Sequence, residues 1–459
     1  MAKLAASAAA LAVAVLGVAA CADGASAVGA EADARVSVAG GPGVGGPLVG
    51  AKAFSGHGRL AFVSGKRLYV LDGSAAGKPA ALHPVLTGKA PGSAGSPAWS
   101  PDGEWLAFLV GTPSADGAVT SGALWLAGPD GQGPHQVLPK AGGFAWSPKT
   151  DELAVVSGLR GKLFAVQPGR QPFPVFEAPG LTQASPAWSP DGRRLAVAVV
   201  NLTARKRLVS SAIDVFAAGG GIAATAIGFS RSDALIVDGW WPDGQGLFAW
   251  SDRRDSASLA ADGLPLVSYP LAGAPAPVAR TLPYPSFAVP GGNGVTLVTG
   301  GDRYPWNAKT ILACTASAHC GSAMNATPPP VNLDPATPAF TGEPLLAFVH
   351  GATEKAAGLS QRELRAWYQT RRLWVWAGLG GNPLPVARAG VGVAAPVWSA
   401  DSREILYVRD NALWLVPMFT ADSSLSDALA VPVVSRLFAG DWPNVDGVTA
   451  WQSQFAWHS

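Results

Sequence analysis

Charge is scarce in this sequence. Asp, Glu, Lys and Arg make up 14% of its 459 residues, against about 25% in an average soluble protein. The charges nearly balance, with 33 basic against 31 acidic residues and a formal net charge of +2. That balance excludes the basic footprint of a general nucleic-acid binder and also an acidic tail. Histidine is scarce too: His57, His83, His135, His319, His350 and His458 are scattered. No H-E-x-x-H and no D-x-[DN]-x-[DN]-G occurs, so zincin and EF-hand chemistry find no footing. No G-x-S-x-G exists to form a hydrolase nucleophile elbow. Gly73–Pro79, "GSAAGKP", is one residue short of a phosphate loop, and Pro79 stands where Ser or Thr would bind magnesium. Gly41, Gly43 and Gly46 have G-x-G-x-x-G spacing, but no strand precedes them and Pro47 blocks a following helix. The expectation is no catalytic residue, no metal and no cofactor.

What is plentiful is apolar and small. Hydrophobic residues make up 48%, with 17 tryptophans and 56 glycines. Few charges and 17 tryptophans predict a large, dry, β-rich interior. Glycine and proline fall between the apolar runs, as turn punctuation does.

The three cysteines divide by position. The N-terminus reads "MAKLAASAAALAVAVLGVAAC", with Lys3 as a short n-region and an apolar run from Leu11 to Ala20. It is an export signal rather than a membrane span, which needs about twenty apolar residues. An apolar residue, two small residues and Cys21 resemble the bacterial lipoprotein signal. That resemblance implies lipidation of Cys21 and removal of residues 1–20. Residues 21–55 are small and rich in glycine and alanine, so they read as a flexible tether. Cys314 and Cys320, in "LACTASAHC", are an even pair in an exported chain and predict a local disulfide. The rival reading, metal binding with His319, lacks a fourth ligand.

One phrase recurs. "GSPAWSPDGEWLAF" spans Gly95–Phe108 and returns as "ASPAWSPDGRRLAV" at Ala184–Val197, "GFAWSPKTDELAV" at Gly143–Val155 and "APVWSADSREILY" at Ala395–Tyr407. Each copy places two apolar runs around a turn. In Pro101-Asp102-Gly103, Pro sets φ, Asp bonds the local backbone and Gly accepts positive φ. A second hairpin follows through Pro129-Asp130-Gly131, so one copy predicts a four-stranded antiparallel meander, the blade of a propeller. Trp99, Trp146, Trp188 and Trp398 hold one place in the first strand and are expected to pack between blades.

First strands are expected near Ser96, Phe144, Ser185, Leu235, Ser286, Pro338 and Ala395. Gly58–Leu86 supplies strands two to four with no first strand. The terminal "SQFAWHS", Ser453–Ser459, is a first strand with nothing after it. The two pieces complete each other, leaving no open sheet edge. The fold class is therefore all-β: a β-propeller over residues 56–459 with eight four-stranded antiparallel blades, seven being the alternative count, closed by the C-terminal strand.

The phrase "PAWSPDGxxLAF" resembles the repeat of TolB-like propellers, which also occurs in the propeller domains of prolyl-oligopeptidase-type enzymes. Together with the lipoprotein signal, the chain is similar to bacterial TolB-like and LpqB-like envelope lipoproteins. It departs from TolB in its lipid-type signal, and neither protein's partner carries over. The resemblance implies a lipid-anchored protein on the extracytoplasmic face of the cell membrane. Its expected role is a non-enzymatic protein-interaction scaffold of the cell envelope. The alternative is an enzyme or small-ligand sensor using the central channel.

The partner is sought in the long connections between second and third strands. Candidate partner-binding residues are Arg205 and Arg207 in one; Arg303, Tyr304 and Trp306 in another; and Arg362, Arg365, Trp367 and Arg371 in Gly351–Arg372. Aromatic and arginine side chains suit interface hot spots. In that last insertion Ser360 and Glu363 have capping-box spacing and predict a helix from Gln361 to about Thr370. Leu364 and Tyr368 are expected to dock it, leaving Arg365 and Trp367 on the accessible side.

Overall fold

The computed structural model describes residues 46–86, 92–114, 117–157, 161–177, 186–203, 205, 207–218, 225–253, 263–284, 287–291, 294–301, 304–316, 318–323, 333–336, 345–354, 358–377, 383–419, 426–437 and 451–459. Cys21 and Arg303 lie outside them.

Side-chain bonds lock the turn of each clear repeat. Ser100 donates its hydroxyl to Asp102 Oδ1 (2.6 Å) and accepts the Trp105 amide (2.9 Å), while Asp102 accepts the Glu104 amide (2.9 Å). Ser189 with Asp191, and Ser399 with Asp401, repeat this lock. Gly103 has φ 73°, and a Cβ there would collide with the ring of His458, so only glycine fits.

Eight antiparallel meanders result, written here as strands A to D from the inside of the ring outward. Blade I is Phe455–His458, Gly58–Ser64, Arg67–Gly73 and Ala81–Pro84. Blade II is Ser93–Trp99, Leu106–Gly111, Gly122–Ala127 and His135–Ala141. Blade III is Phe144–Trp146, Leu153–Ser157, Lys162–Val166 and Phe173–Glu177. Blade IV is Ala187–Trp188, Arg194–Leu202, Leu208–Ala217 and Thr225–Ser230. Blade V is Ala234–Trp240, Gly246–Asp252, Leu264–Pro270 and Ala276–Thr281. Blade VI is Ala288–Pro290, Thr296–Gly300, Thr310–Cys314 and Cys320–Ser322. Blade VII is Leu333–Ala336, Leu345–His350, Arg372–Ala377 and Leu384–Pro385. Blade VIII is Ala394–Trp398, Glu404–Arg409, Ala412–Pro417 and Val431–Ser435. The count is eight. The B–C connections and the links to the next blade lie on one face, here the upper; the A–B and C–D turns lie on the lower.

The tryptophans of the repeat pack between blades and also clasp them. The indole N–H of Trp99 donates to Ala456 O (3.1 Å), Trp146 to Ala98 O (3.0 Å), Trp188 to Ala145 O (3.0 Å) and Trp240 to Ala187 O (2.9 Å). Each acceptor directly precedes the tryptophan of the preceding blade. A buried indole N–H needs a partner, and in blades II to V the repeat supplies it at the same place.

Closure uses the C-terminal strand as expected, with Arg59 opposite His458 and Phe62 opposite Phe455. A second closure was not expected. Leu48–Val49 pairs with Ser435 and Val434 as a fifth, outermost strand of blade VIII, and Phe54 is fully buried. The boundary at residue 55 is thus corrected: the ordered propeller takes in residues 46–55, because Leu48 and Val49 satisfy the open edge of blade VIII. Blade VII is also corrected. Its A strand is Leu333–Ala336 rather than a segment near Pro338, since Asp334-Pro335-Ala336 occupies the Ser96-Pro97-Ala98 position at the same register shift.

Candidate functional site

The upper face over blades VI and VII is built by two B–C insertions that pack against each other. In the longer one, a helix α1 spans Gln361–Tyr368 with Ser360 as N-cap and a complete capping box with Glu363. The Ser360 hydroxyl and amide both reach Glu363 Oε2 (2.6 and 2.7 Å). Those bonds hold the Glu363 carboxyl below the usual carboxylate range. Leu364, Trp367 and Tyr368 lie at i, i+3 and i+4 and form one buried stripe.

From blade VI comes the facing surface. Tyr304 stacks on Trp306 with centroids 4.8 Å apart, and Trp306 meets Trp367 edge-on at 6.1 Å. The Trp367 indole N–H donates to Ala352 O (2.8 Å). Asn307 Nδ2 donates to Glu354 O (2.6 Å), which joins the two loops. The Arg371 guanidinium lies 4.5 Å from the centroid of Tyr368 and 5.3 Å from that of Trp367, a pair of cation–π contacts inside protein. Buried Lys309 donates to Tyr304 O and Asn307 O (2.9 and 3.3 Å). This cluster is continuous with the core of blades I and VIII through Leu282, Phe287 and Trp451.

The expected site residues therefore separate. Trp306, Trp367 and Arg371 have relative exposures of 1%, 3% and 0%. The expectation that Trp367 stands on the accessible side is corrected: its indole completes the buried stripe against Trp306. Trp306 and Arg371 likewise offer no surface. Tyr304 is half-buried, and Arg362 and Arg365 are exposed on the outer side of α1. Arg205 and Arg207 are exposed at the upper end of blade IV, away from this cluster. Cys314 and Cys320 form a disulfide across strands C and D of blade VI, which engages both sulfurs of the rival metal reading.

Sequence reasoning missed Asp238. It sits on strand A of blade V, at a register shift between Val237 and Gly239. Such a bulge re-aims a side chain. Asp238 is partly accessible on the innermost strand, where the equivalent A-strand positions hold Pro97, Phe144, Pro186, Pro396 and Phe455. Burial pushes its carboxyl well above the usual carboxylate range. The signal was available: in "IVDGWW", Asp238 takes the place of Pro97 in "SPAW".

No protein-family model matches this sequence, and no curated protein does. Among solved structures, the chain is similar to the dihydro-heme d1 dehydrogenase NirN in complex with DHE, at 16% identity and a TM-score of 0.51, covering 83% of this chain and 74% of that one. It matches a Mycobacterium tuberculosis puromycin-hydrolyzing peptidase at 14% identity and a TM-score of 0.43, covering 82% of this chain and 60% of the peptidase. TolB from Acinetobacter baumannii matches at 13% identity and a TM-score of 0.32, covering 69% of this chain and 77% of TolB. At 16% identity the likeness to the dehydrogenase is one of fold alone.

Proposed function

We propose that this propeller is a lipid-anchored, extracytoplasmic scaffold of the bacterial cell envelope that binds a protein partner through its upper face without catalysing a reaction. The carrying observation is α1. Its buried stripe of Leu364, Trp367 and Tyr368 bolts the helix to the ring, and Arg362 and Arg365 project from the other side. A rigid element presenting guanidinium groups suits a partner surface rich in carboxylates. The anchor is Cys21, read from the signal that precedes it, and a membrane location follows from that reading.

Two measurements test the proposal. Crosslinked affinity capture from membranes compares the native chain with Arg362→Glu/Arg365→Glu. Partner recovery should fall at least tenfold at unchanged melting temperature; equal recovery places the binding face elsewhere. Separately, Cys21→Ser should release the protein from membranes, and retention after a salt wash counts against the anchor.

Asp238 favours a second reading, a channel sensor or enzyme. A carboxylate on the innermost strand, at a position that other blades fill with proline or phenylalanine, suits a small organic cation. A thermal-shift screen with amines at alkaline pH would support this reading if stabilisation is lost in Asp238→Asn.

A further inference from the structure

Three of the six exposed large hydrophobic residues among those described, Leu202 (41%), Val209 (51%) and Phe229 (63%), gather at the upper end of blade IV. Strands B and C there are 9 and 10 residues long, against 5 each in blade III. Strand D ends at Ser230, opposite Ser211. Residues 201–203 and 207–210 therefore extend past the outer strand, with Leu202 opposite Leu208 and Val209 at a register shift.

The fully exposed charges described at this tip are basic. Arg205, Arg207 and Arg231 are exposed, and the Arg231 guanidinium lies 5.9 Å from the Phe229 centroid. On neighbouring blade V, Arg253 is 78% exposed and pairs at 3.9 Å with Asp233, which is 21% exposed. The tip thus combines projecting apolar side chains with a surround of arginines. That is the composition that enters the boundary between headgroups and acyl chains, where apolar burial and attraction to anionic lipid add together.

The other end of the described chain points the same way. Leu48 pairs with Ser435, the last residue of strand D in blade VIII, so residue 46 enters from the upper face. Blades IV and VIII stand on opposite sides of the eight-bladed ring. An anchor on one side of the ring and an apolar, cationic tip on the other would turn the upper face toward the bilayer.

We propose that the upper end of blade IV is a membrane-docking patch that takes the anionic headgroup region of a bilayer. The orientation of the ring rests on the lipid-anchor reading; the patch itself does not.

The test uses the full chain carrying Val209→Cys labelled with an environment-sensitive dye. Cys314 and Cys320 are already in a disulfide, and intact mass reports separately whether Cys21 is acylated; if it is not, Cys21→Ser is added. The protein is mixed with preformed phosphatidylcholine vesicles with or without phosphatidylglycerol. The expected result is a blue shift and brightening with phosphatidylglycerol only. Arg205→Gln/Arg207→Gln/Arg231→Gln should weaken vesicle partition about a hundredfold, since each arginine near an anionic surface contributes about 1 kcal/mol. A label at Phe173→Cys, also exposed but at the lower end of blade III, should stay unchanged. An unresponsive Val209 label overturns the proposal, as does a shift that ignores lipid charge and the triple substitution. If that substitution abolishes capture of a protein while vesicle partition is unaltered, the occupant is a protein and the proposal fails.

Discussion

The indole N–H of Trp99 donates a 3.1 Å hydrogen bond to the carbonyl of Ala456, 357 positions later in the chain. One bond thus ties the first complete repeat to the strand that closes the ring. Trp99→Phe keeps most of the packing and loses the bond, at about 0.5–1.5 kcal/mol. Removing Ser453–Ser459 is far more severe. It strips strand A from blade I, leaves Leu60 and Phe62 beside an empty edge and removes the acceptor for Trp99. Calorimetry should show a small shift for the substitution and no native-like transition for the truncation. An unchanged melting temperature in the truncated chain would defeat the closure.

The Cys314–Cys320 disulfide closes a short loop, with a sequence separation of 6. Loop-closure entropy for so short a loop gives about 2 kcal/mol. Cys314→Ala/Cys320→Ala should therefore lower stability modestly and leave the far side of the ring untouched. Intact mass with and without reductant checks the bond. Two alkylatable thiols in protein prepared without reductant would refute it.

The two sides of α1 should respond oppositely to substitution. Trp367→Ala empties a buried aromatic site at about 3–5 kcal/mol and also orphans Ala352 O. Arg362→Glu and Arg365→Glu are surface changes, worth within about 0.5 kcal/mol. Chemical denaturation separates these effects. Equal losses for both would mean that the arginine side of α1 is packed.

Asp238 gives a pH signature. An unfolded aspartate titrates near pH 3.9, whereas burial raises the folded value. As pH climbs from the unfolded toward the folded pKa, the unfolded chain has lost a proton that the native state keeps. Stability therefore falls with rising pH across that window and stays lowered above it. Asp238→Asn removes the dependence. Its melting temperature should match the native chain near pH 3.5 and exceed it progressively as pH rises above the unfolded value. A difference independent of pH would show that the substitution acts through packing alone.

Local chemistry made much of this fold readable in one dimension. The Ser-Pro-Asp-Gly turn encodes its hairpin within six residues, because Ser100 and Asp102 bond to amides at 104 and 105. Ser360 and Glu363 set the start of α1 in the same way. Even the closing strand was legible, since "SQFAWHS" is a further copy of the repeat's opening. The ring itself decided the rest. Leu48–Val49 carries no repeat signature and becomes a strand only because blade VIII offers an unpaired edge. Trp367 and Arg365 are two positions apart on one helix, yet Trp306 of the neighbouring blade buries the first while the second stays exposed. Asp238 is an ordinary aspartate until the blades surround it, and its proton affinity is then set by the solvent they exclude. Turns and caps depend on residues within a few positions and are written in order along the chain; burial depends on what arrives from distant blades, so only the assembled ring determines it.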